Sequence, residues 1–440
     1  MLPMPEYIRR DVYPRLPGLI EEHGPLFLYY SKLGILGSGG GINKAFAPLP
    51  HRQYFAVKAA PEPFIMKYLF ENLRQGFDCS AIPEIALARG LGARGDDIFY
   101  SSNCTSFEEF EYAAKDGGCI LNIDDVSFIP LIPVFPKKVC FRINPGELRT
   151  GHADNPIGNP ASAKYGITYK QIFAAYKAAM SRGAEEFGIH TMICSNERHM
   201  SYFVKTAEEM LKVAAMIYKK LGIKIKFINI GGGFGIPYRP EDRELNLDWI
   251  GNKITRLFAQ FAAEFGWMPT LMTECGRYVT GPHGILVNPV LHVMQKYRHF
   301  IGVSAAMTGC PRPAFYGSYH HIDVLDPEGR LRTGPRRFTN VVGPKCENWD
   351  RLTPTKGRNG EDKPQERLLP RSIQRGDILV TANTGAHSTA MSDNYNARLR
   401  IKALLDLDGT NENTILIRRE ETMEDLFRTI IFPPGFKLPS

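Results

Sequence analysis

Eight short apolar segments alternate with longer segments of helical periodicity between about residues 50 and 280. Such alternation of strand and helix predicts βα units, in which neighbouring strands run parallel within one sheet. Eight repeats favour a closed (β/α)8 barrel, and an open, doubly wound sheet is the alternative. The candidate strands are 54–57, 76–79, 98–100, 119–122, 139–143, 188–192, 225–230 and 270–273, and the clearest helices are 62–75, 83–91, 106–115 and 202–221.

The sequence changes character after about residue 285. Helical periodicity becomes rare, and Gly/Pro-rich turns separate strand-like segments, which predicts a second, mostly β domain. Two polar or glycine-rich stretches, 37–41 and 353–371, are expected to be a flexible loop and an exposed loop, and 147–162 is either a lid or a surface insertion. The strand-like segments are 287–293, 314–325, 337–343, 377–381 and 415–419.

Composition excludes several classes of protein. A chain of 440 residues, 43% of them hydrophobic, can bury large cores without metals or disulfides. The net charge of +8 is spread without a basic stripe, which argues against nucleic-acid binding. The eight cysteines form no CxxC pair and no zinc-spaced cluster, so no metal site is predicted. With no signal peptide and no long apolar segment, we expect a cytoplasmic protein with free thiols and no membrane partner.

The candidate strand ending at Ile230 runs directly into the sequence Gly231-Gly-Gly-Phe-Gly235. Consecutive glycines allow backbone N–H groups to approach a ligand closely, which suits a phosphate group. The run is not a GxGxxG dinucleotide motif, because position 236 is Ile, and the chain has no GxxxxGK[ST]. A tight turn from strand to loop without a ligand is the alternative.

Three further places carry residue types suited to catalysis. Lys58 closes the first candidate barrel strand, at the face where barrel active sites lie, and its amine could form a Schiff base. Glu274 and Arg277 follow the last barrel strand and could hold a pyridine nitrogen and clamp a carboxylate. Cys346, beside Glu347, could donate a proton. The alternatives are a loop lysine, an internal ion pair and a buried cysteine that only fills space.

These motifs, in this order, resemble those of the fold type III (alanine-racemase-like) PLP-dependent decarboxylases, and most closely those of the diaminopimelate decarboxylase branch. The resemblance covers nearly the whole chain. The matching segments are Tyr54-Phe-Ala-Val-Lys58, Phe77-Asp-Cys-Ser80, Cys140-Phe-Arg-Ile-Asn-Pro-Gly146, Ala163-Lys-Tyr-Gly166, Ile230-Gly-Gly-Gly-Phe-Gly235, Glu274-Cys-Gly-Arg277, Arg312-Pro-Ala-Phe-Tyr316, Gly343-Pro-Lys-Cys-Glu347 and Asn394-Tyr-Asn396.

The resemblance implies an architecture and a set of site residues. The architecture is a (β/α)8 barrel at 35–284 and a β-sandwich domain at 285–440, and the N-terminal segment 1–34 joins the β-sandwich domain. Two such chains would form a homodimer with shared active sites. Pyridoxal 5'-phosphate (PLP) would be attached to Lys58, and Cys346 of the partner subunit would protonate the substrate after CO2 leaves. The other implied cofactor ligands are Met192, Ser195, Gly231, Gly232, Gly233, Glu274, Gly276, Arg277 and His387. The implied substrate ligands are Arg277, Arg312, Tyr316 and Glu347.

Two positions depart from the pattern of the family and are similar to a divergent subgroup. Met192 stands where the family usually has a histidine that stacks on the cofactor ring, and a thioether can also pack on a ring. His387 stands where the family usually has a tyrosine near the phosphate, and it can still donate one hydrogen bond. We expect His190, two residues before Met192, to point to the other face of the strand, away from the cofactor.

The implied reaction is the decarboxylation of a diamino acid, most simply of meso-diaminopimelate to L-lysine. Because Met192 and His387 depart from the family, another substrate such as D-ornithine, D-lysine or a carboxylated polyamine is the alternative. A non-catalytic, PLP-binding regulator is a third hypothesis. The presence of both Lys58 and Cys346 argues against it, since a protein without catalysis needs neither.

Overall fold

The computed structural model describes residues 3–146, 160–192, 194–354 and 365–437. The chain divides into two compact units, which we call the barrel unit and the sheet unit. The barrel unit consists of Met1–Arg9, Ser31–Gly284 and Ala382–Ala390, and the sheet unit of Arg10–Tyr30, Ile285–Thr381 and Met391–Ser440.

The elements are numbered in chain order. The strands are β1 Phe27–Ser31, β2 His51–Ala56, β3 Gly76–Cys79, β4 Gly95–Tyr100, β5 Cys119–Ile123, β6 Lys138–Arg142, β7 Glu186–His190, β8 Phe227–Asn229, β9 Thr270–Thr273, β10 Gly284–Gln295, β11 His299–Val303, β12 Ile322–Leu325, β13 Arg336–Val342, β14 Arg367–Pro370, β15 Ile378–Thr381, β16 Lys402–Asp406 and β17 Thr414–Arg418. The α-helices are α1 Leu16–His23, α2 Lys32–Phe46, α3 Pro63–Leu73, α4 Ile82–Gly90, α5 Phe107–Ala114, α6 Ile172–Ser181, α7 Met200–Leu221, α8 Leu247–Phe265, α9 Arg277–Thr280, α10 Arg312–Tyr316 and α11 Met423–Phe427.

Strands β2 to β9 form a closed barrel in which every strand runs parallel to its neighbours and β9 pairs with β2. The predicted (β/α)8 barrel is therefore confirmed, and the open sheet is wrong. The inside is filled by one cluster of buried side chains, Tyr54, Phe99, Ile120, Cys140, Phe227 and Met272. Because the strands are parallel, their carboxyl ends meet at one rim, and the residues that follow β2, β8 and β9 are brought to that rim.

We expected the glycine-rich stretch 37–41 to be a flexible loop, and that expectation is wrong. The stretch lies inside helix α2. The physical reason is close packing. A Cβ on Gly39 would lie 2.7 Å from Leu73 Cδ1, and a Cβ on Gly34 would overlap the ring of His283. Contacts with residues distant in the chain thus override the low helix propensity of glycine.

The sheet unit contains a nine-stranded mixed sheet with the order β14-β13-β11-β10-β1-β16-β17, in which β15 pairs with both β10 and β12. The predicted mostly β domain is confirmed, with two local corrections. The segment 314–325 is not one strand: helix α10, which has Pro313 in its first turn, is followed by β12. The predicted loop 353–371 contains β14, which pairs antiparallel with β13.

Residues 147–159 and 355–364, which include most of the lid candidate and much of the second predicted loop, lie outside the described residues. Among the described helices, none is long and apolar enough to cross a membrane.

Candidate active site

Lys58 lies at the barrel rim beside a buried carboxylate. It follows β2 in the short 3-10 turn Val57–Ala59, and its Nζ is 2.9 Å from Oδ2 of Asp78 on β3. The lysine side chain is about half exposed (49%), whereas Asp78 is buried (1%). Desolvation by the surrounding protein alone would lower the pKa of Lys58, but the Asp78 and Glu274 carboxylates raise it above its ordinary value. The structure therefore holds Lys58 as an ammonium group paired with Asp78.

Glu274, directly after β9, is buried and held at both carboxylate oxygens. Its Oε1 accepts a hydrogen bond from Asn229 Nδ2 at 2.7 Å, and its Oε2 lies 3.3 Å from His190 Nε2. Burial by itself raises the pKa of this carboxyl, but His190 and Lys58 more than offset burial and lower the pKa below its ordinary value. The outcome is a buried, ionised carboxylate.

The glycine loop after β8 is packed against the end of β9 and against Met192. A Cβ on Gly232 would overlap the backbone oxygen of Glu274, and Gly231 has a φ of +70°, so glycine is required at both positions. The Gly231 N–H donates to Asn229 Oδ1 at 2.9 Å, and the Gly232 N–H donates to Met192 Sδ at 3.3 Å. The predicted residue Met192 is thus in direct contact with the predicted phosphate loop.

Ser195 and Arg277 form a polar cluster next to this loop. One guanidinium nitrogen of Arg277 donates to Ser195 Oγ at 3.1 Å, and another donates to Tyr238 Oη at 2.7 Å. Gly233 contacts the segment that contains Ser195, because the backbone oxygen of Gly233 accepts a hydrogen bond from the Glu197 N–H at 2.8 Å. Gly276 directly precedes Arg277 at the start of α9. The structure therefore brings these predicted residues together.

His387 belongs to the part of the barrel unit at Ala382–Ala390. Its backbone N–H donates to the carbonyl of Ala59 at 2.8 Å, so its main chain lies next to the turn that carries Lys58. The residue has a φ of +59°. The structure thus places the second departure from the family pattern at the same rim.

The remaining predicted residues lie in the sheet unit, in two places. Cys346 is exposed, on the turn after β13, and its N–H donates to Asn396 Oδ1 at 2.6 Å. Its neighbour Glu347 accepts a hydrogen bond from the Trp349 N–H at 3.1 Å. The buried Lys345 anchors this turn through an ion pair with Asp393 at 2.6 Å.

Arg312 and Tyr316 are the first and last residues of helix α10. Arg312 is buried and donates to Ser318 Oγ at 3.1 Å, whereas Tyr316 is about half exposed. Within the sheet unit, the two residues therefore share one short helix, separate along the chain from the Cys346 turn.

Sequence reasoning missed four residues at the rim of the barrel. Our expectation that His190 points away from the site is wrong, because residues two apart on a strand lie on the same face, and its imidazole contacts Glu274. Asp78 lay within a matching motif, and Asn229 comes two residues before the first glycine of the loop; both were signals in the sequence. Tyr238, the partner of Arg277, had no such signal.

Two family models match this chain. The first, "Pyridoxal-dependent decarboxylase, pyridoxal binding domain", matches residues 41–281, and the second, "Pyridoxal-dependent decarboxylase, C-terminal sheet domain", matches residues 277–385. The chain is also similar to Protein TabA of Pseudomonas amygdali pv. tabaci, with 36% identity covering 96% of this chain and 95% of the relative.

Diaminopimelate decarboxylases are further relatives. The enzyme of Methanothermobacter thermautotrophicus is 33% identical, covering 93% of this chain and 92% of the relative. The crystal structure of diaminopimelate decarboxylase from M. jannaschii in co-complex with L-lysine superimposes with a TM-score of 0.81 at 25% identity, covering 95% of this chain and 94% of that one.

Proposed function

Because this chain belongs to the pyridoxal-dependent decarboxylases, we propose that it releases CO2 from a diamino acid, and that this substrate is meso-diaminopimelate, which would give L-lysine. The chain is a PLP-dependent amino-acid decarboxylase; the substrate is the part that we propose. The observation that carries it is the similarity to diaminopimelate decarboxylases over nearly the full length of both chains.

The barrel rim fits PLP in three respects. Lys58 presents an amine at the rim, Glu274 presents a buried, ionised carboxylate, and the glycine loop lies beside the Ser195–Arg277 cluster. Bound PLP supplies an electron-withdrawing ring that stabilises the negative charge left at Cα when a carboxyl group departs as CO2. We assign covalent attachment to Lys58 and the ring nitrogen to Glu274. The phosphate ligands we assign are Ser195, Gly231, Gly232, Gly233, Gly276, Arg277 and His387.

The contacts of the glycine loop suit an exchange of partners. The Gly232 N–H donates to the sulfur of Met192, which is a weak acceptor, so a phosphate oxygen can replace it at little cost. The guanidinium of Arg277, held by Ser195 and Tyr238, adds a positive charge beside the loop. The thioether of Met192 is assigned to pack against the cofactor ring in place of an imidazole.

Reprotonation and most of the substrate binding are assigned to the sheet unit. Cys346 of the partner subunit in a homodimer donates its thiol proton to Cα, and Asn396 fixes the backbone from which this thiol projects. A substrate with charged groups at both ends needs both guanidinium and carboxylate partners. The residues we assign to it are Arg277, Arg312, Tyr316 and Glu347.

A different diamino acid is the second candidate. The relative with 36% identity does not carry the name of a decarboxylase, and Met192 and His387 both lie at the rim. D-Ornithine, D-lysine and carboxynorspermidine therefore belong in the test beside meso-diaminopimelate.

The test is CO2 release and product identification by mass spectrometry, with PLP added and with these four compounds, L-lysine, L-ornithine and L-arginine as substrates. The proposal expects the highest catalytic efficiency with meso-diaminopimelate and L-lysine as its product. We expect Lys58→Ala to abolish turnover, whereas Lys67→Ala, which removes an exposed lysine of α3, should not. Higher efficiency with another compound overturns the proposed substrate.

The shared active site has its own test. We expect the Lys58→Ala and Cys346→Ala proteins each to be inactive. Unfolding and refolding them together should then form mixed dimers with one intact site. Partial recovery of CO2 release supports the assignment of Cys346 to the partner subunit. A mixture that stays inactive, although mixed dimers form and the Cys346→Ala chains bind PLP, contradicts it.

A further inference from the structure

We infer that His190 is a positioning residue that keeps Glu274 ionised and oriented toward the ring nitrogen of PLP, and that Asn122 in turn fixes the imidazole of His190. The inference rests on the proposed function in one respect only, which is the assignment of Glu274 to the ring nitrogen. It does not depend on the identity of the substrate.

The inference stands on a continuous hydrogen-bonded network across four elements of the barrel. Asn122 on β5 donates to His190 Nδ1 at 3.0 Å, and His190 on β7 contacts Glu274 Oε2 at 3.3 Å. Asn229 on β8 donates to Glu274 Oε1 and accepts from the Gly231 N–H. Every side chain in this network is at least nine-tenths buried. The carboxylate is therefore held from two sides by donors of the protein.

Asn122 decides which nitrogen of His190 carries the hydrogen. Its amide nitrogen has two hydrogens, of which one is donated to His190 Nδ1 and the other to Ser101 Oγ at 2.9 Å. Because Nδ1 accepts, the ring hydrogen lies on Nε2 and is donated to Glu274. With its hydrogen on Nε2, the imidazole is a fixed donor to the carboxylate.

The effect on the cofactor follows from competition for one proton. A buried carboxylate without donors is a stronger base, and it would take the proton that it shares with a pyridine nitrogen. Donors to both oxygens weaken that base, so the proton stays on the ring nitrogen, where it strengthens electron withdrawal. The pKa of Glu274, which lies below its ordinary value in spite of burial, agrees with this direction.

The experiment measures the protonation of the ring nitrogen directly. Wild-type protein and variants are reconstituted with PLP labelled with 15N in the ring, and the 15N chemical shift is recorded by solid-state NMR without substrate. We expect a protonated ring nitrogen in the wild type and a shift toward the unprotonated value in His190→Leu. His190→Gln, whose amide can donate to Glu274, keeps the wild-type signal. A wild-type signal in folded His190→Leu protein overturns the inference.

Two further variants keep the test decisive. His283→Gln removes another buried histidine of the barrel unit, which bonds to Tyr7 and Ser38 and not to Glu274, and it leaves the 15N signal unchanged. If His190→Leu does not fold, Asn122→Leu removes the anchor of the imidazole and moves the signal in the same direction. An unchanged signal in Asn122→Leu then overturns the inference, whatever substrate the enzyme decarboxylates.

Discussion

The amine of Lys58 lies 2.9 Å from the carboxylate of Asp78, which is buried at the end of the neighbouring barrel strand. The register of the two strands creates this pair, because Asp78 is opposite Ala56, two residues before the lysine. Since only the uncharged amine attacks a carbonyl carbon, a carboxylate that stabilises the ammonium form delays attachment of the cofactor.

Asp78→Asn is therefore expected to move the attachment of PLP to lower pH. Without the negative charge, the pKa of Lys58 falls, and a larger fraction of the amine is uncharged at neutral pH. The measurement is the rate of PLP attachment to the apoprotein as a function of pH, followed by absorbance. Asp124→Asn, which neutralises a carboxyl that does not contact Lys58, serves as the control. An identical pH profile in Asp78→Asn and wild type would contradict the prediction.

Met192→Leu tests the contact between the thioether and the glycine loop. The substitution nearly conserves volume, but in the apoprotein the Gly232 N–H loses its acceptor, which costs at most about 1 kcal/mol because sulfur accepts weakly. If a phosphate oxygen accepts a hydrogen bond from this N–H, the PLP-bound protein is not destabilised in this way. We therefore expect a lower Tm for the apoprotein and a larger increase in Tm on addition of PLP. Equal losses in the apo and PLP-bound forms would argue against phosphate binding at Gly232.

The sequence allowed the barrel to be predicted because each strand is a short apolar segment bounded by turn residues. Predicted strands 76–79 and 270–273 coincide with β3 and β9, and the others differ by a few residues at their ends. The glycines of α2 show the limit of this reasoning. Their role depends on Leu73, Gln75 and His283, which are distant in the chain and cannot be found from local composition.

The candidate site was predictable where a motif carries the chemistry, as at Lys58 and Glu274. Pairings across strands were not, because they depend on register. Asp78 was part of a matching motif, but nothing local indicates that its partner is Lys58. His190 was excluded by a wrong assignment of strand faces, and its contact with Glu274 joins strands β7 and β9, which are not adjacent.

Alanine substitutions in α2 should have opposite effects on stability. Gly37 is exposed, and a Cβ there would meet nothing within 4 Å, so Gly37→Ala should stabilise the protein by about 0.5–1 kcal/mol through helix propensity. Gly34→Ala places a Cβ where it overlaps the ring of His283 and should destabilise the protein by about 1–3 kcal/mol. Urea unfolding measures both. A stabilised Gly34→Ala protein would mean that the helix is not packed as described.

Asn396→Ala should lower kcat about tenfold or more without loss of cofactor. The amide oxygen of Asn396 fixes the backbone of Cys346, and a small displacement of a proton donor is costly. Asn396→Asp keeps an oxygen acceptor, and aspartate also tolerates the local φ of +57°. This variant should therefore keep most of the activity. Borohydride reduction, which traps PLP on Lys58, should give equal yields in all three proteins. A normal kcat in Asn396→Ala would show that this hydrogen bond does not position the thiol.

The buried histidine His283 should make the protein sensitive to acid. Its ring nitrogens are bonded to Tyr7 and Ser38, and burial lowers its pKa from 6.5 to about 3. Between those values the unfolded chain binds a proton that the folded chain does not. The contribution of neutral, buried His283 to the free energy of unfolding is therefore fully present above pH 6.5. It falls by about 1.4 kcal/mol per pH unit as the pH decreases toward 3. His283→Gln removes the imidazole that takes up this proton in the unfolded chain. The substitution should therefore flatten the decline in the free energy of unfolding between pH 6 and about 4. The control His292→Gln, which removes an exposed imidazole, should keep the wild-type slope; an unchanged slope in His283→Gln would mean that His283 does not titrate on unfolding.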